Sequence, residues 1–209
     1  MKEKRLIIAS RVISSIISPF YLPMFGVIAL FMFTYLGLLE TWMKLRVLLI
    51  VYLFTAIIPS YLIRIYQYYH GWTPIQLGQK ERRMVPYVIS IVCYFACYYI
   101  INLLHTPHFI GTVIMAALAV QVVCALINLR WKISTHSAAI GGVIGSVIAF
   151  SFLFTFNPTW WLFLLFFMAG LVGTSRMILR QHTLMEVCMG FITGIIVAFL
   201  SVIYYRNIV

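Results

Sequence analysis

Long apolar runs alternate with short polar connectors along almost the whole chain. The runs hold few or no charged residues, and most approach the roughly 20 residues that an α-helix needs to cross a bilayer core. The predicted membrane spans are residues 12–36, 47–63, 87–104, 110–129, 137–156, 160–174 and 185–205. No stretch remains for a sizeable soluble domain. The pattern therefore predicts an all-α polytopic transmembrane helical bundle of six or seven spans, forming a single domain over residues 1–209.

The first apolar run has an unusual beginning and an unusual middle. The basic start MKEKR looks like the head of a signal peptide, but the following run leads into PFYLP rather than into a small-residue cleavage site. We therefore expect a retained first helix. Pro19 and Pro23 predict a kink in this helix. They also leave open a re-entrant segment, since freed backbone groups at membrane depth are tolerated when they are buried in protein.

Polar residues gather in three connectors, GWTPIQLGQKERRMVP (71–86), RWKISTHS (130–137) and SRMILRQHTLME (175–186). Two predicted spans separate the first connector from the second, and two more separate the second from the third. An even number of crossings returns the chain to the same face, so all three connectors are expected at one face of the membrane. The connectors HTPHF and NPT carry no Lys, Arg, Asp or Glu.

Composition supports a membrane protein, since 64% of the residues are hydrophobic, 9% are charged and the mean hydropathy is +1.04. Of the four acids, only Glu81 and Glu186 lie within the three connectors, so a two-metal site is disfavoured and no metal or cofactor is expected. The net charge of +11 is divided among connectors that flank the membrane. This distribution favours anionic headgroups over nucleic acid as partners.

Candidate chemistry concentrates in the third connector. His182 and Glu186 are four residues apart, so on a helix they would share a face. A carboxylate there can accept the N–H of one ring nitrogen and leave the other nitrogen as a nucleophile. Arg176 is close enough to His182 in the chain to hold phosphoryl oxygens. For Arg180 and Lys132, snorkelling to the membrane interface is the favoured interpretation, whereas the combination of Arg176, His182 and Glu186 favours an anion site.

The connectors resemble the signatures of the type 2 phosphatidic acid phosphatase (PAP2) superfamily. Ser-Arg, five residues, His, three residues and an acid is similar to the third signature, SR-x5-H-x3-D, with Glu186 in place of Asp. The motif ISTHS puts Ser134 and His136 in register with Ser and His of the second signature, P-S-G-H, although Ile133 and Thr135 replace its Pro and Gly. KERRMVP is a looser counterpart of the first signature, K-x6-R-P.

The resemblance, which covers roughly residues 80–186, implies a metal-independent phosphatase. His182 would attack phosphorus and form a phosphohistidine, which Glu186 would help to orient, and His136 would protonate the leaving oxygen and then activate water. The groups expected to bind phosphate oxygens are Lys80, Arg83, Ser134 and Arg176, with Arg82 as a substitute in the loose first signature. A phosphate site beside apolar helices suits a lipid phosphate or a polyprenyl pyrophosphate whose tail stays in the membrane.

Two other functions stay open. A PAP2-like protein that binds or transports a lipid phosphate without chemistry needs the same basic face, and so does a phosphotransferase that passes the phosphoryl group to another lipid. The expected setting is the bacterial inner (cytoplasmic) membrane. Membrane lipids are the expected neighbours, and neither nucleic acid nor an obligate protein partner is expected.

The side of the membrane on which the connectors lie is predicted from the cations. With seven spans, one face holds Lys2, Lys4, Arg5, Arg11, Arg64, Lys80, Arg82, Arg83, Arg130, Lys132, Arg176 and Arg180, and the other holds Lys44, Arg46 and Arg206. The positive-inside rule then favours the cytoplasmic face for the connectors. The resemblance implies the outer face. A re-entrant first segment would remove this conflict, because it reverses the parity of the crossings.

Overall fold

The computed structural model describes residues 2–71 and 84–206, with side chains described for 3–71 and 84–204. These residues form eight α-helices and no strand. The helices are α1 (Lys2–Ile16), α2 (Leu22–Phe33), α3 (Thr41–Tyr69), α4 (Met84–Leu103), α5 (His108–Arg130), α6 (Thr135–Phe154), α7 (Thr159–Ile178) and α8 (Leu184–Arg206). The helices α3 to α8 are long and apolar enough to cross a membrane. The prediction of an all-α polytopic bundle is confirmed.

The predicted spans match α4 to α8 to within a few residues, but α3 is longer than the predicted span 47–63. A π-helical turn at Leu53–Ile57 ends two residues before Pro59 in α3. Because proline has no N–H, it cannot bond to the carbonyl four residues earlier, and one wide turn lets the helix continue past it. The last turn of α3 ends with the exposed residues Tyr68 and Tyr69.

The first apolar run is a broken helix and not the single retained helix expected over residues 12–36. A turn at residues 17–21 separates α1 from α2. Pro19 lies in this turn, where its ring removes an N–H and disfavours helical geometry at the residue before it. Pro23 lies in the first turn of α2, where proline is tolerated. The prediction that the prolines interrupt this helix is confirmed, but the interruption is a complete break and not a kink.

A side chain from α4 compensates for this break inside the bundle. Tyr94 is buried, and its hydroxyl donates a hydrogen bond to the Pro19 carbonyl at 3.1 Å. Interrupting a helix leaves carbonyls without intrahelical donors, and such groups are costly in an apolar interior unless another donor reaches them. Tyr94 supplies that donor at the point where the chain leaves helical geometry.

The broken segment passes through the whole thickness of the bundle. At one end, Ser14 contacts Arg176 in the last turn of α7. At the other end, the rings of Phe33 and Trp161 lie 4.4 Å apart, and Trp161 belongs to the first turn of α7. The segment therefore crosses the bundle antiparallel to α7, and the re-entrant alternative is wrong. Ser14 of α1 therefore lies at the same end as the connectors that precede α6 and α8.

Among the described helices, α6 and α8 share the most extensive contact. Gly141 and Gly145 on α6 lie against the backbone of α8. Gly190 and Gly194 on α8 lie against the backbone of Ser134, the N-cap of α6, and of Ala138, and a Cβ added at any of the four glycines would press on these main-chain atoms. Each pair is four residues apart, which is the G-x-x-x-G spacing that lets membrane helices approach closely. These glycines hold the beginning of α8 beside the beginning of α6, which is where the candidate site lies.

Candidate active site

The chain reverses tightly after α7. Arg180 adopts a left-handed backbone conformation (φ 53°) and its N–H donates to the Met177 carbonyl at 2.9 Å, while the Gln181 N–H donates to the Arg176 carbonyl at 3.1 Å. These two bonds form a Schellman motif, which ends a helix by satisfying its last carbonyls. Lys132 Nζ donates to the Gln181 carbonyl at 2.6 Å. Lys132 and Arg180 therefore shape the turn that leads into α8.

His182 and Glu186 meet at the start of α8. Nδ1 of His182 lies 2.6 Å from Oε2 of Glu186. Because α8 begins at Leu184, His182 precedes the helix, and the expectation that both residues share a helical face is wrong. The pair still forms because Thr183 caps α8, where its Oγ1 accepts the Glu186 N–H at 3.4 Å. With Nδ1–H donated to the carboxylate, a neutral ring carries its lone pair on Nε2.

The second connector is joined to the third through the backbone. The Ser134 N–H donates to the Glu186 carbonyl at 3.2 Å. A Cβ added at Gly190 would lie 2.6 Å from the Ser134 carbonyl oxygen, so only glycine permits this approach. Because the contact is between main-chain atoms, it holds the two connectors together without a side-chain hydrogen bond.

Ser134 and His136 have different surroundings although they are two residues apart. Ser134 is the N-cap of α6: its Oγ accepts the Ser137 N–H at 3.4 Å and lies 2.9 Å from the Ser137 Oγ. The sequence predicts that Ser134 binds phosphate, but the residue is fully buried and its hydroxyl caps the helix. His136 lies in the first turn of α6 and lines a polar cavity.

This polar cavity has a volume of about 450 Å³ and lies between α1, α3, α6 and α7. The second and third connectors contribute His136, Arg176 and Gln181 to its wall. Other elements contribute Arg11, Ser14, Ser15, Ser18 and Ser60. No described acidic residue lines the cavity, so its two arginines make the local potential positive. Guanidinium and hydroxyl donors of this kind suit an anion with several oxygens, such as phosphate.

His182 does not reach the wall of the polar cavity. Its side chain is 1% exposed and that of Glu186 is 13% exposed, whereas the neighbouring Gln181 lines the cavity. The structure thus brings His136 and Arg176, two of the predicted site residues, to the cavity. The predicted nucleophile, His182, is buried and its acid, Glu186, is partly exposed, and neither lines the cavity.

The phosphate ligands predicted from the first connector, Lys80, Arg82 and Arg83, lie outside the described residues. The end of that connector belongs to α4, with Pro86 in its first turn. Within the described ranges, no group of three or more His, Cys, Asp or Glu side chains is arranged to hold a metal ion. Among the described residues, the polar groups that line the cavity are arginine, histidine, amide and hydroxyl groups.

Sequence reasoning missed the contribution of the N-terminal segment to this cavity. Arg11, Ser14, Ser15 and Ser18 follow the i, i+3, i+4, i+7 spacing of one helix face, inside a run that is mostly apolar. Ser60 on α3 gives no comparable signal, because a single serine in an apolar span is common. The polar stripe on α1 was the observable clue.

Comparison with known proteins gives no match to this chain, whether among protein-family models, curated proteins or solved structures.

Proposed function

We propose that this integral membrane protein is a PAP2-type phosphatase, which hydrolyses a lipid phosphate or polyprenyl pyrophosphate through a phosphohistidine and without a metal ion. The contact between His182 Nδ1 and Glu186 Oε2 carries the proposal, because a carboxylate bonded to one ring nitrogen raises the nucleophilicity of the other. Glu186 is also joined by its carbonyl to Ser134, two residues before His136. The second and third signature regions therefore meet, as one active site requires.

The first half-reaction forms the phosphohistidine. Nε2 of His182 attacks phosphorus and the bond from phosphorus to the leaving oxygen breaks. This is the lipid oxygen of a monophosphate or the bridging oxygen of a pyrophosphate, and it takes a proton from His136. Glu186 stabilises the positive charge that develops on the His182 ring, as the buried aspartate does in a serine protease triad. Because His182 is buried, the ring must become accessible beside Gln181 before it can meet the phosphate.

The second half-reaction releases inorganic phosphate. Neutral His136 takes a proton from water, the water oxygen attacks phosphorus, and the bond between phosphorus and Nε2 breaks. The electron pair returns to His182, and His136 is protonated again. Arg176 meets the charge that builds on the phosphoryl oxygens in both steps. The PAP2 resemblance implies the same role for Lys80, Arg82 and Arg83, and also for Ser134, whose hydroxyl caps α6 in this structure.

An apolar cavity beside the polar one suits the lipid part of the substrate. It has a volume of about 400 Å³ and runs along α2, between α5, α6 and α7. The 12 residues of α2 give it a length of about 18 Å, at 1.5 Å per helical residue. Met32 and Leu164 line it and are exposed on the surface of the bundle, so a hydrocarbon chain can enter from the side.

The burial of His182 favours a second candidate function, a protein that binds or transports a lipid phosphate without chemistry. In such a protein, Arg176 and His136 would hold the headgroup in the polar cavity. The contact between His182 and Glu186 would then stabilise the start of α8, where an acidic group is favoured by the helix dipole. The two functions differ in whether a lipid phosphate is turned over.

Turnover of a short-chain lipid phosphate by the purified protein tests the proposal. We expect hydrolysis that EDTA leaves intact and orthovanadate inhibits. His182→Ala should abolish turnover while the protein still inserts and folds, whereas His108→Ala, at the exposed start of α5, is the matched control and should leave it unchanged. A phosphohistidine should be trapped only when His182 is present.

Three outcomes would count against this phosphatase. Wild-type turnover by the His182→Ala protein contradicts the mechanism. Loss of turnover in EDTA with recovery in Mg²⁺ also contradicts it, because the phosphate charge would then depend on a metal ion. Absence of turnover for any lipid phosphate, together with specific binding, favours the second candidate.

We propose further that the site faces the cytoplasm of a bacterial cell. The N-terminal segment crosses the bundle, so the positive-inside rule applies to the cation distribution with seven crossings. Tyr69→Cys and Leu38→Cys introduce thiols at 80% and 90% exposed positions at opposite ends of the bundle, and Cys188→Ser removes the exposed native thiol. An impermeant maleimide should label only Leu38→Cys in intact cells. Labelling of only Tyr69→Cys would place the site outside.

A further inference from the structure

The N-terminal segment forms part of the wall of the polar cavity. Arg11, Ser14 and Ser15 of α1, and Ser18 of the following turn, line it together with Arg176. None of the four N-terminal residues belongs to the three connectors that identify the site in the sequence. The cavity is therefore incomplete without the first 18 residues of the chain.

A hydrogen bond from α7 sets the orientation of α1. Arg176 Nη1 donates to Ser14 Oγ at 2.7 Å, and Ser14 is buried. Ser10, Ser14 and Ile17 form the buried stripe of this segment, so the rotation of α1 about its axis is fixed by packing. Arg11 lies three residues before Ser14, which puts it on the adjoining part of the same helix face.

We propose that Arg11 is a phosphate ligand of this cavity and that the hydroxyls of Ser15 and Ser18 are additional donors. The inference rests on the proposed function for its ligand, the phosphate group of a lipid. Within the described part of the chain, the one ion pair joins His182 to Glu186, so no described carboxylate neutralises Arg11. A guanidinium group presents a fork of N–H donors that matches two phosphate oxygens.

The charge of the ligand explains why a second arginine is needed. A phosphate monoester carries close to two negative charges at neutral pH, because its second pKa is near 6. Arg176 approaches the cavity from α7, and Arg11 approaches it from α1. The counterpart of the first PAP2 signature lacks an arginine directly before Pro86. A cation from another part of the chain is therefore needed to neutralise the charge of the phosphate.

Arg5 provides a matched control on the same helix. It is exposed, has the same side chain and lies outside the lining of the polar cavity. If the arginines of α1 only contact anionic headgroups at the membrane surface, Arg5 and Arg11 should behave alike. If Arg11 binds the phosphate group within the cavity, only Arg11 should matter.

Binding to the full chain, held in nanodiscs of zwitterionic lipid, tests the inference without any need for turnover. Inorganic phosphate and a short-chain lipid phosphate are titrated against the His182→Ala protein and against the same protein with Arg11→Gln, Arg11→Lys or Arg5→Gln. We expect Arg11→Gln to weaken binding of both probes about 10-fold to 100-fold, the scale of a charged hydrogen bond. Arg11→Lys should lose less because it keeps the charge, and Arg5→Gln should bind as its parent does.

Unchanged affinity in Arg11→Gln, or an equal loss in Arg5→Gln, overturns the inference and leaves the proposed phosphatase intact. Phosphate binding that depends on Arg11, in a protein that turns over no lipid phosphate, would keep this site and reject the enzymatic function. Thermal unfolding of each variant should match that of its parent. If the Arg11→Gln protein does not fold, the Arg11→Lys protein is used in its place. If Arg11→Lys binds both probes as tightly as its parent does, the proposed bidentate contact between Arg11 and phosphate is rejected.

Discussion

The polar cavity beside α1 and the apolar cavity beside α2 have similar volumes, about 450 and 400 Å³, but walls of opposite chemistry. They meet at the turn between the two helices, where Ser18 lines the polar cavity and Pro19 lines the apolar one. They meet again at the start of α6, where His136 lines the polar cavity and Thr135 lines the apolar one. At both places, neighbouring residues of the chain therefore line different cavities.

This difference shows how one broken helix serves two environments. A continuous amphipathic helix keeps its polar stripe along its whole length. The break at residues 17–21 lets α1 present an arginine and serines, while α2 presents only apolar side chains to the neighbouring cavity. A lipid phosphate likewise has a charged headgroup, which suits the polar cavity, and an apolar chain, which suits the apolar cavity. Changes confined to one cavity should therefore separate headgroup chemistry from recognition of the chain.

The largest effect is expected next to the polar cavity, at Glu186. Glu186→Gln keeps the size of the side chain but removes the charge that, in the proposed mechanism, stabilises the His182 ring during attack. We expect kcat for a short-chain lipid phosphate to fall on the order of 10⁴-fold, as in the analogous change in a serine protease triad. Glu186→Asp, which restores the acid of the PAP2 signature, should keep substantial activity. A near-wild-type kcat in Glu186→Gln would remove Glu186 from the mechanism.

A smaller effect is expected where the two helix starts touch, at Gly190. The Cβ of Gly190→Ala would lie 2.6 Å from the Ser134 carbonyl oxygen, so α6 and α8 must separate. We expect the free energy of unfolding to fall by about 1–3 kcal/mol, and kcat to fall about 10-fold to 100-fold because the site is displaced. Gly170→Ala on α7 is the control, since its Cβ would meet no atom within 4 Å. Equal behaviour of the two variants would contradict the close packing.

A change on the apolar side should affect only long-chain substrates. Ala29 lines the apolar cavity, and Ala29→Phe would fill part of it. We expect kcat/KM for a long-chain lipid phosphate to fall about 10-fold, the scale of a poor fit in an apolar pocket. The same constant for a short-chain substrate should not change. A parallel loss with both substrates would show that the cavity does not hold the chain.

The smallest effect is expected at the boundary between the cavities. Tyr94→Phe removes the hydroxyl that donates to Pro19, so the break in the first segment loses one hydrogen bond. We expect a loss of about 0.5–1.5 kcal/mol in the free energy of unfolding, with faster hydrogen exchange in residues 17–21. Tyr99→Phe is the control on the same helix, because Tyr99 is 58% exposed. Unchanged exchange in Tyr94→Phe would show that other contacts hold the turn.

Local physical chemistry explains why much of the fold was predictable from the sequence. Apolar runs of sufficient length gave five of the helices to within a few residues, and the prolines correctly marked the interruption of the first segment. The contact between His182 and Glu186 also followed from spacing, although His182 lies before α8. It formed because capping by Thr183 and the four-residue separation still bring the two groups together.

The sequence by itself determined which segments are apolar helices, where proline interrupts one of them, and that the polar connectors before α6 and α8 share one end of the bundle. These properties depend on the free energy of transfer of individual side chains from water to lipid and on hydrogen bonds between near neighbours in the chain. Only the tertiary structure decided that the hydroxyl of Ser134 caps α6 and that Ser14 meets Arg176 across 162 positions. Such contacts depend on the rotation and separation of packed helices, which hydropathy does not encode. The close packing of α6 and α8 at their glycines and the two cavities likewise depend on how the helices pack.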